Sequence, residues 1–315
     1  MTTQFLRRVV FTGAALVSAA LPAAMLAQGQ AAPPPGPGAL EEVAPPGNNY
    51  DIAEFRFWAP DAGPLQAIAV LVPGSNGDGR GAAEDTVWQA FARAHHVALV
   101  ACHFKDKAHQ MAYIEAYVNV SQGSGQALLD AINKFASRSK HPELTAAPLL
   151  LWGMSAGGQF NYEFNAWKPE RVAAFVVNKG GIYFSALVSP EARATPGILF
   201  TGGKDLESRV WMINGLFAVN RRGGALWALS NEPGVGHAVG MSRDMAIAFY
   251  EDILPMRIGP NNTLKPLAGQ SGFTGDLKAK TFAPIGDSKQ ATEPNAWLPT
   301  ERVAKIWQTI ETSKP

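Results

Sequence analysis

The stretch Leu149-Leu150-Leu151-Trp152-Gly153-Met154-Ser155-Ala156-Gly157-Gly158 decides how this chain is read. Its apolar start reads as a buried strand, and Phe160, Phe164 and Trp167 follow at i, i+4 and i+7, a helical stripe. Between them lies Gly-x-Ser-x-Gly, the pattern of a strand-to-helix turn sharp enough to lift a serine hydroxyl out of the fold. Side chains flanking that serine would collide with the neighbouring strand or the incoming helix, which is the physical reason for the glycines. The bare motif is cheap, with roughly 0.2 chance matches expected in a chain of this length. Its seat between a buried strand and a helix carries the information; the competing reading is an ordinary glycine-rich turn.

Outward from this turn, short apolar strands alternate with helical patterns. Phe55 and Phe57 alternate with Glu54 and Arg56 in a half-buried strand. Apolar runs follow at 67–72, 97–101, 172–177, 198–200 and 226–229. Val87, Trp88, Phe91 and Ala94 share one helical face. Leu128, Leu129, Ile132 and Phe135 mark a helix with Ser124 as its cap, and further helices run through Trp211 and Leu216 and through Ile247, Tyr250 and Leu254. This alternation predicts an α/β fold, a mostly parallel sheet with helices on both faces. Ligands then bind at the carboxyl ends of the strands. Residues 260–295 show little periodicity and are expected to wrap the surface before a last helix around 303–310. No internal repeat, Walker motif or dinucleotide fingerprint is present.

The 315 residues are 47% hydrophobic and 17% charged, enough for one large core. Arg7 and Arg8 precede an almost wholly apolar or small stretch over 9–27, and Ala27, Gly29 and Ala31 offer cleavage positions, so residues 1–31 read as a signal peptide. The Arg-Arg pair leaves both common export routes open. No cysteine follows the apolar stretch, which excludes a lipoprotein anchor, and no stable membrane insertion is expected after processing. The mature protein is expected in the periplasm or secreted. Residues 32–49 are Pro/Gly-rich and read as an extended, mobile linker, 50–258 as the catalytic domain, and 259–315 as a C-terminal extension packed on it. The net charge is +1, and loss of Arg7 and Arg8 with the leader makes it −1. No basic cluster is interleaved with aromatics, so nucleic acid is not an expected partner. The single cysteine, Cys102, permits no intrachain disulfide and reads as a buried small hydrophobe.

A serine nucleophile needs a base, and the base needs an orienting acid. Of six histidines, His237 follows the last predicted strand in a Gly/Pro-rich loop, Asn231-Glu232-Pro233-Gly234-Val235-Gly236-His237, on the same rim as Ser155. The acid is expected after the preceding strand, where Asp205 ends Thr201-Gly202-Gly203-Lys204-Asp205; Glu207 is second choice, and a helix cap is the bland reading of Asp205. The order Ser155, Asp205, His237 is the order of one hydrolase fold and not of the other two common serine-protease scaffolds. An oxyanion would be held by the backbone N–H of Ala156 and by that of Ser75, in the loop Pro73-Gly74-Ser75-Asn76-Gly77-Asp78-Gly79-Arg80-Gly81.

On these residues the chain resembles an α/β-hydrolase, and within that fold it is similar to secreted esterases of the polyhydroxybutyrate depolymerase and feruloyl esterase type. The carrying residues are Gly153 to Gly158, Pro73-Gly74-Ser75, Gly202-Gly203-Lys204-Asp205 and Gly236-His237, within residues 50–258. Members often have His-Gly in the oxyanion loop where this chain has Pro73-Gly74. The resemblance implies hydrolysis of a small-molecule or oligomeric ester without a cofactor. A peptidase or acyltransferase with the same triad, or a silent hydrolase fold used for binding, are the alternatives. The segment 180–196 leaves room for one short helix, so little or no lid is expected over the cleft, which suits a bulky or extended ester. Asn76, Arg80, His103, Lys179 and Tyr183 are candidates to line it, against a solvated or core reading for each. No metal cluster is evident; Cys102-His103 and His95-His96 lack a set of partners.

Overall fold

The apolar runs become the middle of one eight-stranded sheet in the computed structural model, which describes residues 31–61, 63–109, 114–287 and 294–314. Its strands are β1 (Leu40–Ala44), β2 (Tyr50–Trp58), β3 (Ala67–Val72), β4 (Val97–Asp106), β5 (Leu149–Met154), β6 (Val172–Asn178), β7 (Gly197–Gly202) and β8 (Trp227–Glu232), in the spatial order β1-β2-β4-β3-β5-β6-β7-β8. β1 and β2 are antiparallel and form one border; the other strands are parallel. Every residue of β3, β6 and β7 is buried. Strands covered on both faces have no polar side to show, so their sequences run apolar without alternation.

The helices are α1 (Thr86–His95), α2 (Ser124–Ser139), α3 (Ala156–Trp167), α4 (Pro190–Arg193), α5 (Glu207–Arg222) and α6 (Ser242–Arg257). α2, α3 and α5 pack into one apolar cluster, and α1 and α6 into a second on the opposite face. Beyond α6 come β9 (Phe273–Asp276), β10 (Thr281–Pro284) and β11 (Ala296–Leu298), a separate antiparallel sheet in the order β10-β9-β11, and then α7 (Glu301–Glu311). α7 lies against β8: Trp307 Nε1 donates to Leu229 O at 2.7 Å and Glu311 Oε1 accepts from Asn231 N.

Several expectations need correction. Residues 32–49 are not a mobile linker, because Leu40–Ala44 pairs residue for residue with Ala53–Phe57 as β1. Arg138 Nη1 donates to Glu41 O at 2.7 Å and fastens this strand to α2. The run 260–295 does not merely wrap the surface, since it supplies all of β9 and β10. On α1 the buried residues are Trp88, Phe91 and Ala92, while Val87 and Ala94 are exposed. Ser124 is not a cap; Gly123 holds that position, and buried Ser124 donates to Tyr117 O at 2.5 Å. The expected signal peptide lies outside the described residues apart from Ala31. Cys102 is fully buried, and burial pushes its thiol pKa up.

Candidate active site

Ser155 sits between β5 and α3 with φ 54° and ψ −120°, a conformation that costs a non-glycine residue energy. The turn is held from both sides: Ser155 N donates to Asn178 O at 2.8 Å, and Ser155 O accepts from Gln159 N at 3.1 Å. A Cβ on Gly157 would lie 2.2 Å from Val72 O, and one on Gly153 would lie 2.3 Å from the Gly157 backbone. Only glycine lets the start of α3 come this close to the ends of β3 and β5.

His237 joins the other two predicted residues. Its Nε2 lies 2.9 Å from Ser155 Oγ and its Nδ1 lies 2.8 Å from Asp205 Oδ2. The Asp205 side chain is 2% exposed. Burial alone would raise its pKa, but the hydrogen bonds from His237, Leu206 N and Arg209 outweigh burial and hold it below the usual value. An ionised carboxylate only accepts, so Nδ1 carries the proton and Nε2 is free to accept from the serine hydroxyl. The acid turn and the histidine loop are joined by backbone bonds, Gly203 N to Glu232 O (2.8 Å) and Lys204 N to Val235 O (3.0 Å).

Ala156 opens α3, and Ser75 lies in the loop 73–81; no described residue accepts from either N–H. That loop is braced by Gly77 N to Gly74 O (3.0 Å), Gly79 N to Cys102 O (3.0 Å) and Asp106 N to Asn76 Oδ1 (2.6 Å). Ser75, Asn76, Ser155 and His237 line one open cleft of about 740 Å³. Between β6 and β7 the only helix is the single turn α4. The segment before it is pinned to α3: Gly181 N donates to Gln159 Oε1 at 3.1 Å, and Glu163 accepts from Phe184 N at 2.7 Å and Ser185 N at 2.9 Å. The cleft is therefore not roofed by this segment.

Of the candidate lining residues, Asn76 is in the cleft and four are not. Lys179 is fully buried, with φ 54°, and its Nζ donates to Asn178 Oδ1 at 3.0 Å and to Glu232 Oε2. Burial lowers its pKa, and Glu232 opposes that shift. Glu232 Oε1 accepts in turn from Met241 N at 2.6 Å. This pair thus stitches the ends of β6 and β8 close to Asp205. Tyr183 packs its ring edge-on against Tyr162, 5.0 Å between centroids, and its hydroxyl is buried. Arg80 and His103 belong to a charged cluster around Asp78. Arg80 binds Asp78 at 2.7 Å and Glu54 at 3.1 Å, and His103 Nδ1 lies 3.0 Å from Glu54 Oε2. Glu54, Asp78 and His103 offer three metal-ligand atoms within 4.8 Å of one another, contrary to the expectation that His103 lacks partners, although a guanidinium already stands among their carboxylates.

The cleft is also lined by Asp51, Lys105, Asp106, Lys107, His109, Glu115, Gln159 and Arg209, none singled out from sequence. Two were within reach. Gln159 follows Ser155 by four residues and Arg209 follows Asp205 by four, a spacing that returns a helical side chain to the same face. The segment 105–109 carried no such signal, because it reaches the cleft only through the end of β4.

No protein-family model matches the chain, and no curated protein matches it. Among solved structures, LpqC, a poly(3-hydroxybutyrate) depolymerase from Bordetella parapertussis, superposes with a TM-score of 0.51 at 16% identity, over 68% of this chain and 88% of that one. The chain has the α/β-hydrolase fold. Esterase PE8 (TM-score 0.48, 19% identity, 63% of this chain and 97% of that one) and esterase 2 of Thermogutta terrifontis (0.49, 14%, 71% and 96%) are more distant in shape. Among the described residues no helix is long and apolar enough to cross a membrane.

Proposed function

We propose that this protein is an exported serine carboxylic-ester hydrolase acting through a Ser-His-Asp acyl-enzyme on a bulky or extended ester. The observation that carries the reading is His237 standing 2.9 Å from Ser155 Oγ and 2.8 Å from Asp205 Oδ2, with the serine on a strained turn that lines an open cleft. The depolymerase that superposes with a TM-score of 0.51 has the same fold. Export rests on the leader read from the sequence.

In this mechanism Ser155 Oγ attacks the ester carbonyl as Nε2 of His237 takes its proton. Asp205 fixes the tautomer and stabilises the imidazolium. The Ala156 and Ser75 N–H groups donate to the oxyanion. The imidazolium then protonates the leaving alcohol, and the same imidazole activates water to release the acid. Arg209, bound to Asp205 Oδ1 at 2.9 Å, adds to the His237 and Leu206 N hydrogen bonds that keep that carboxylate ionised.

The test is hydrolysis of p-nitrophenyl esters from acetate to decanoate, with Ser155→Ala alongside. Activity that vanishes in the variant is expected, and the chain-length profile sizes the acyl site. Hydrolysis no faster than that of the variant on every ester would reject the reading.

A further inference from the structure

Residues 32–36 have no regular secondary structure, yet they are fastened at three points. Ala32 N donates to Asp78 Oδ2 at 2.8 Å, Arg56 Nη2 donates to Pro33 O at 2.7 Å, and Gly36 N donates to Glu84 Oε1. These partners belong to one charged cluster. The carboxylates of Glu41, Glu54, Asp78 and Glu84 meet the guanidiniums of Arg56 and Arg80 at 2.7–3.6 Å. The imidazole of His103 lies beside Glu54 and Asp78. Four carboxylates thus face two guanidiniums, and the cluster is short of positive charge. Asp78, 5% exposed, is anionic: burial would raise its pKa, but the bonds from Arg80 and Ala32 N carry it far below the usual range.

We propose that Ala32 is the first residue of the mature protein and that its new α-ammonium is a missing cation of this cluster, seated on Asp78. Two independent observations meet at this atom. In the sequence, Gly29 and Ala31 put small residues three and one before the Ala31–Ala32 bond, the pattern of leader cleavage. In the structure, Ala31 is exposed, and the nitrogen that cleavage would release is the one already 2.8 Å from a buried carboxylate.

The step is hydrolysis by a leader-cleaving endopeptidase. Water adds across the amide, its oxygen leaves in the Ala31 carboxylate, and the Ala32 amine takes up a proton. A neutral N–H donor becomes a cation with three donors, and hydrogen bonds of that charge-assisted kind are about twice as strong as neutral ones. An α-amino group titrates near pH 8, so it is charged at neutral pH. Asp78 stands on the same loop as Ser75, so removing the leader would tighten the loop that offers the oxyanion its second donor. The inference rests on the export reading and is independent of ester hydrolysis.

The experiment expresses the full chain with its leader in an exporting bacterial host and sequences the amino terminus of the purified product. The expected start is Ala32-Pro33-Pro34-Pro35. A start elsewhere overturns this proposal alone; a retained leader overturns it together with the export reading. Next, Ser-Gly is inserted between Ala31 and Ala32, which carries the ammonium about 7 Å along the chain from Asp78. The insertion is expected to lower Tm by about 2–4 °C at neutral pH and to have no such effect on Asp78→Asn. The stabilisation belongs to a cation whose folded pKa is raised. The Tm gap is therefore full below about pH 8 and closes as pH rises through the folded value. A gap that persists in Asp78→Asn or at pH 11, or no gap at all, overturns the proposal; the pH series decides even if Asp78→Asn does not fold.

Discussion

His237 and His103 each rest Nδ1 near a carboxylate oxygen, 2.8 Å from Asp205 and 3.0 Å from Glu54. Their surroundings differ in two ways. The far nitrogen of His237 meets a serine hydroxyl on a strained turn in an open cleft, whereas His103 stands in a cluster away from that cleft. The second difference is in the carboxylates. Asp205 gives one oxygen to Arg209 and keeps the other for the imidazole. At the His103 site, Glu54 Oε2 lies within reach of both the imidazole and Arg80. An imidazole on a carboxylate is therefore an ordinary structural pair. It becomes an acid–base device when the second nitrogen faces a group that must lose a proton.

The sharpest way to break this comparison is by substitution at the two histidines. On a p-nitrophenyl ester, Ser155→Ala or His237→Ala is expected to lower kcat on the order of 10⁴-fold or more, and Asp205→Asn by about 10⁴-fold. His103→Ala should leave kcat within about threefold while costing roughly 1 kcal/mol of stability. A loss for His103→Ala as large as for His237→Ala would end the distinction.

The ion pairs of the two regions extend the test to stability. Lys179 and Glu232 are both sealed from solvent, so Lys179→Met leaves a buried carboxylate without its cation and should cost about 3–5 kcal/mol in urea unfolding. Arg80→Met, in a part-buried network that keeps the Arg56 guanidinium, should cost about 1–2 kcal/mol. Equal costs would mean that the sealing of the first pair carries no special penalty.

Glu311 supplies a carboxylate from neither region. Its pKa is raised to about 7 because burial outweighs the Asn231 N–H and the charge of Lys280. The folded state then holds a proton that the unfolded state has released, so this group's stabilisation is present at low pH and is lost as pH rises through about 7. Glu311→Gln should flatten the fall in Tm between pH 5 and pH 8, a change of a few degrees. The smallest effect is expected at Arg209. Arg209 is bound to the carboxylate that orients the imidazole, so Arg209→Gln should lower kcat/KM by about three- to tenfold. Arg80→Gln should leave kcat/KM unchanged.

The parallel strands were legible because burial on both faces leaves an unbroken apolar run, and the turn at Ser155 because its geometry tolerates only small neighbours. Asp205 and His237 were placed together by chain order alone, since each ends up on the loop after a strand at one end of the sheet. What was missed depended on partners distant in sequence. Lys179 follows a strand end like a rim residue, but Glu232, 53 positions on, draws it inward. The proline-rich run before Tyr50 has no hydrophobic period, because β1 packs only Leu40 and Ala44 against the core and is otherwise held by the backbone of β2 and by Arg138. The strands β9 and β10 are four residues each, too short for a period to register.

The way α7 lies on β8 bears on how the protein behaves when crowded. A border strand exposes a row of unpaired amides that can recruit a strand from another molecule. Here Trp307 and Glu311 occupy the Leu229 carbonyl and the Asn231 amide at one border, while Arg138 takes the Glu41 carbonyl at the other. Both margins of the sheet are thus guarded by side chains of the same chain, a defence against intermolecular β-pairing that would fail first where α7 is truncated.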